Sequence, residues 1–149
     1  MMMHQGMILL LATMALPGAG AVAGELRIDC PESIAAVESL DGAGEAWRVE
    51  TDLGKRGKLL DSISVFSGPP VEMASLVPDR SSERKQRRIS AWEFSTQSSE
   101  AYWVACTYTN STLLLTRQLP SGVRRCELSE RLRPNGVKLG IEDMKCEFD

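Results

Sequence analysis

Histidine is nearly absent from this chain: the single one, His4, stands within a stretch that reads as a removable leader. Without histidine in the folded part, Ser-His-Asp and Cys-His mechanisms lack their base, and the commonest metal ligand is gone. No two cysteines have the close C-x-x-C spacing of a zinc site, so no metal is expected. A glycine-rich phosphate loop with its lysine is also missing, and no cofactor is expected. Carboxylates are plentiful, but no signature marks a glycosidase-like pair, and the chain is expected not to be an enzyme. With a net charge of -3 there is no basic excess to suggest nucleic acid.

Charge is missing from the N-terminus, where no Asp, Glu, Lys or Arg precedes Glu25. The apolar run beginning at Met7 ends in Ala21-Val22-Ala23, small residues at the first and third positions before Gly24, which is a secretory leader pattern. A retained membrane anchor fits less well, because Met7 to Leu16 is too short to cross a bilayer and Pro17, Gly18 and Gly20 interrupt it. Residues 1–23 are therefore expected to be a signal peptide cleaved after Ala23. Residues 24–149 are expected to form a single exported domain in the periplasm, with no membrane association afterwards.

What is present is a dense run of strand-forming residues. Ile89 to Phe94, Tyr102 to Tyr108 and Leu113 to Leu119 are separated by short polar connectors and read as consecutive antiparallel strands. In the second of them Tyr102, Val104, Cys106 and Tyr108 face one way and Trp103, Ala105 and Thr107 the other. Leu113-Leu114-Leu115 in succession predicts burial on both faces, at the centre of a sheet. Leu59 to Phe66 is another strand, and Trp47, Val49 and Thr51 alternate with charged residues as a half-buried one. Residues 41–46 and 53–58 read as turns, and Ile34 to Leu40 as a short helix or a first strand, which periodicity does not decide. The expected fold is all-β and mainly antiparallel, with about seven or eight strands in a small disulfide-bonded sandwich or open barrel and at most one short helix.

Cys30, Cys106, Cys126 and Cys146 all follow the leader, and an even count in an exported chain suggests two disulfides. Asn135-Gly136 is a strong hairpin signal between Val123 to Arg131 and Val137 to Phe148. With those two as the turn, Cys126 lands opposite Lys145, and one bulged residue moves it opposite Cys146. In a simple meander Cys106 and Cys126 are separated by the Leu113 strand, beyond the reach of a bridge. The expected pairs are Cys126 with Cys146 and Cys30 with Cys106.

The segment 67–79, SGPPVEMASLVPD, cannot continue a ladder through adjacent prolines and reads as an ordered loop, with room for one helical turn at Glu72 to Leu76. The polar run RSSERKQRR at 80–88 reads first as a solvated, mobile loop, and second as a binding surface. Because a rigid loop exposes apolar groups at low entropic cost, the expected partner contacts are Pro69, Pro70, Glu72, Met73 and Leu76, with Arg84, Lys85, Arg87 and Arg88 adding charge steering. Trp92, Tyr102 and Trp103 could stack on sugars, but aromatics on central strands are usually core.

Cys30-Pro31, the string Phe66-Ser67-Gly68-Pro69-Pro70-Val71-Glu72-Met73-Ala74-Ser75-Leu76-Val77-Pro78-Asp79, then Trp92-Glu93-Phe94, Trp103-Val104-Ala105-Cys106-Thr107-Tyr108, Leu119-Pro120 and Cys126 carry a resemblance. Together they resemble a family of small exported proteobacterial proteins known mainly by a locus tag. Its members look like periplasmic immunity proteins of type VI secretion effectors of the L,D-transpeptidase-like kind, which attack peptidoglycan. The resemblance implies binding and neutralisation of a cognate effector encoded nearby, protecting the producer and its siblings. The alternatives are a lysozyme inhibitor and an envelope sugar or peptidoglycan-binding module.

Overall fold

The alternating runs become strands in the computed structural model, which describes residues 23–35, 57–95 and 99–149. In chain order these are β1 (Gly24–Arg27), β2 (Ser33–Ile34), β3 (Lys58–Ser67), β4 (Ser75–Leu76), β5 (Arg80–Arg84), β6 (Arg87–Glu93), β7 (Tyr102–Tyr108), β8 (Leu114–Gln118), β9 (Val123–Leu132) and β10 (Lys138–Phe148). One antiparallel sheet has the order β1-β10-β9-β6-β5; the other runs β2-β3-β7-β8, with β4 also paired to β3. The two do not close into a barrel. Residues 1–22 of the leader, the strand expected at Trp47 to Thr51, the turn at 41–46, most of the turn at 53–58 and residues 36–40 lie outside the described residues.

The inward faces of both sheets share one core. Ile63, Val65 and Val104 from the second sheet meet Trp92, Cys126, Leu128, Met144 and Cys146 from the first. From Cys126 onward the alternation on β9 is strict, with Cys126, Leu128, Glu130 and Leu132 buried and Glu127, Ser129 and Arg131 more open. Glu130 is the one acid in that inward row, and Arg88 at 3.5 Å and Lys138 at 3.7 Å neutralise it. Lys138 also reaches across the sandwich to donate to the Asp61 carbonyl at 2.6 Å. Each fully buried aliphatic side chain contributes roughly 1.5 to 3 kcal/mol, which is what holds two sheets with little polar contact between them.

Cys30 lies between β1 of one sheet and β2 of the other, and its bridge to Cys106 on β7 ties the crossing segment to the second sheet. The Tyr108 hydroxyl donates to the Pro31 carbonyl at 3.0 Å in the same place, and burial raises its pKa above the ordinary phenol value. Cys126 and Cys146 are directly opposed on β9 and β10 and bonded.

Three expectations are corrected by the pairing. The runs at β6, β7 and β8 are not one meander: β6 lies between β5 and β9, while β7 lies between β3 and β8 in the other sheet. Cys106 and Cys126 are thus separated by sheet, not by an intervening strand. Nor is β8 central. It is an edge strand, with Leu113, Leu114 and Leu115 exposed by 51%, 41% and 40%, so three leucines in succession did not signify cover on both faces. Finally, Asn135-Gly136 is not a two-residue turn. Gly136 N–H donates to Arg133 O at 2.9 Å, Arg133 N–H to Val137 O at 2.7 Å, and Gly136 takes φ +80°, which is a type I turn closed by a left-handed glycine. Two bulges further along β10 then bring Cys146 opposite Cys126.

The basic run is a hairpin instead of a mobile loop. Arg84 pairs with Arg87 around Lys85 and Gln86, whose φ values of 50° and 61° define a tight mirror-image turn built without glycine. Left-handed backbone costs a side-chain-bearing residue on the order of 1 to 2 kcal/mol. Gln86→Gly is accordingly expected to stabilise the protein by about 1 kcal/mol, seen as a higher urea midpoint at unchanged slope.

Candidate partner-docking surface

The loop 67–79 is built to hold a shape. Gly68 turns the chain out of β3 at φ +84°, and Pro69-Pro70 start a 3-10 turn over Pro70–Glu72 in which the missing proline donors are not needed. Glu72 N–H donates to Pro69 O at 2.9 Å and Met73 N–H to Pro70 O at 3.0 Å, with Met73 itself left-handed at φ 58°. The chain then folds back, so that Ser75 and Leu76 pair with Phe66 and Val65 as β4. The expected helical turn at Glu72 to Leu76 is replaced by this shorter turn and a strand, because the open edge of β3 offers the backbone a ladder.

Bonds to the body fix both ends. Ser67 N–H donates to Ala74 O at 3.0 Å and Gly68 N–H to Ala101 O at 2.8 Å. The Trp92 indole N–H donates to Leu76 O at 3.1 Å, and the Asp79 carboxylate accepts from Glu93 N–H at 2.8 Å. Trp92 is therefore a core residue whose polar edge anchors the loop, and it does not face an open surface for sugar stacking.

This frame leaves Val71, Met73 and Val77 exposed by 87%, 84% and 84%, the most exposed large apolar side chains among the described residues. Of the expected contacts on the loop, Pro69, Glu72 and Met73 face outward. Pro70 is buried, and Leu76 packs against the core, so these two support the surface and do not form it. Val71 and Val77 were missed by sequence reasoning. Each adjoins a proline, and an apolar residue held beside a proline in a loop is the signal that could have found them.

The basic residues do not join the loop. Arg84, Lys85 and Arg87 sit at the far end of β5 and β6, about 14 Å along the strand from Arg80. Arg88 is occupied: it holds Glu83 at 2.6 Å and Glu130 at 3.5 Å, and the Glu83 hydrogen bond is the largest of the causes that raise its pKa. The surface can thus offer apolar contact at one end and cationic contact at the other.

Residues 54–147 match the family model described as type VI secretion system Tli immunity protein, a span of more than half the chain. The chain is also 26% identical over 140 residues to an "Uncharacterized 16.3 kDa protein in trpG 5'region" of Azospirillum brasilense, covering 92% of each. No solved structure matches it.

Proposed function

The chain belongs to the type VI secretion system Tli immunity protein family, and from that premise we propose that it is exported, loses residues 1–23 after Ala23, and neutralises its effector in the periplasm by binding alone. The observation that carries the mode of binding is the exposure of Val71, Met73 and Val77 on a loop pinned at both ends. Pre-ordered apolar side chains lose little entropy on docking and gain the full benefit of burial, the combination found at the centres of tight interfaces. Two disulfides support an oxidising compartment. The sequence resemblance points further, to an L,D-transpeptidase-like effector acting on peptidoglycan, with the loop covering its active-site cleft.

The test is co-expression. The effector encoded nearby, directed to the periplasm, should be toxic alone and harmless with the full-length chain, whereas a form lacking residues 1–23 should give no protection. Mass spectrometry of the protective form should find Gly24 at its N-terminus. Altered cell-wall cross-links in unprotected cells would support the transpeptidase-like class. Intact cross-links with another lesion would discard that class and keep the immunity reading; no rescue at all would discard both. A lysozyme, as control, should neither bind nor be inhibited.

A further inference from the structure

Exposed cations over most of this surface have carboxylate partners. Arg27 meets Asp29 and Asp143, Arg124 meets Asp149, Arg125 meets Glu93 and Glu127, and Lys145 meets Glu25 and Asp143. Among the described residues Arg80 and Arg117 are isolated exceptions, and one place gathers several. Where the β5–β6 and β9–β10 hairpin tips come together, Arg84, Lys85, Arg131 and Arg133 are exposed and form no ion pair with a described residue.

The register concentrates charge there. Arg84 is directly opposite Arg87, and Arg87 directly opposite Arg131, so three guanidinium groups line one face of three adjacent strands. Cross-strand neighbours on one face stand about 5 Å apart, and like charges in that relation repel. Only Arg87 is compensated, by Glu142 at 2.7 Å. The adjoining turn places Lys85 and Gln86 in left-handed backbone where glycine would be the unstrained choice. Two local rules are thus broken at one spot, in a chain whose overall charge is negative.

The two tips flank a shallow cleft of about 160 Å³ whose lining includes Glu83, Arg84, Lys85, Leu132 and Arg133, with Glu83 already paired to Arg88 at 2.6 Å. Leu132 is buried beneath it, and its N–H donates to Gln86 O at 2.7 Å, which locks one tip to the other. We propose that this cleft is a second docking site, which takes an acidic segment of the effector by lodging a carboxylate side chain among Arg84, Lys85 and Arg133. A shallow site of this size admits a single carboxylate side chain, because Glu83 in its lining is held by Arg88 and leaves Arg84, Lys85 and Arg133 uncompensated, whereas an extended anionic bilayer would also meet Glu142. The identity of the partner rests on the immunity reading; the chemistry of the cleft does not.

The experiment titrates the oxidised protein, residues 24–149, with an oligoglutamate peptide and follows backbone amide shifts by NMR. Saturable shifts confined to residues 84–87 and 131–136 are expected, weakening as salt rises. Arg84→Ser with Arg133→Ser should lower the peptide affinity roughly tenfold at unchanged melting temperature, and should slow association with the effector by a similar factor. Shifts centred on Arg80 or Arg117, or unaffected by the double substitution, would overturn the proposal. So would tighter binding to phosphatidylcholine–phosphatidylglycerol vesicles than to the peptide, which would assign the cleft to a membrane. If the wild-type protein fails to capture the effector, the immunity reading falls and the acidic partner is not that effector, while the titration still decides the cleft.

Discussion

Replacing Cys30 and Cys106 together by alanine is expected to cost about 4 kcal/mol of stability, against about 3 kcal/mol for Cys126 and Cys146. The order follows from the chain each bridge closes, which is 76 residues in the first case and 20 in the second. A longer loop leaves the unfolded chain more freedom when it is cut, and so favours unfolding more. Structure reinforces the difference. Cys126 and Cys146 are already held opposite one another by the β9–β10 ladder, whereas Cys30 ties the segment that passes from one sheet to the other onto β7. Losing both would approach the whole stability of a domain of this size, roughly 5 to 15 kcal/mol, so the reduced protein is expected to be largely unfolded at body temperature. Urea unfolding of the two double variants measures the difference. A greater loss from Cys126 and Cys146 would mean that the space left in the core outweighs the freed chain, since both of those residues are fully buried.

Val71→Asp with Met73→Asp is expected to weaken effector binding at least about 100-fold, or roughly 2.7 kcal/mol, without lowering the melting temperature. Neither side chain contributes to the core, so the fold has nothing to lose. In the complex, two carboxylates would have to be stripped of water against apolar surface without partners, a penalty large enough to dominate the interface. Leu76→Asp is the contrasting change: it puts a charge against the core and should fail by unfolding. Calorimetric titration against the effector, with melting curves on the same samples, separates the two. Undiminished affinity in the Val71 and Met73 variant would remove the loop from the proposed mechanism.

Much of this protein can be read from residue order. Alternation from Tyr102 to Tyr108 and along Leu59 to Phe66 marks β7 and β3, because a strand turns successive side chains to opposite faces whatever it pairs with. Adjacent prolines at 69 and 70 mark a rigid loop for an equally local reason, the loss of two backbone donors. β5 could not be read in this way. Arg80 to Arg84 has no apolar alternation, and Lys85-Gln86 has no turn signature; the strand exists because β6 offers it a ladder. Leu113 to Leu115 misled in the opposite sense, since apolar composition does not say whether a neighbour will arrive.

Residue order by itself therefore determined that the chain would form antiparallel strands, where its rigid loop lies, and that residues 24–149 hold no histidine. Only the tertiary structure decided which strands share a sheet, that β8 lies at an edge, and that Leu76 turns inward while Val71, Met73 and Val77 are left outside. The reason is physical. Strand formation and proline rigidity act within a few residues, but pairing and burial depend on surfaces far away in the chain, such as the β3 edge that receives Ser75 and Leu76 and the core that receives Trp92.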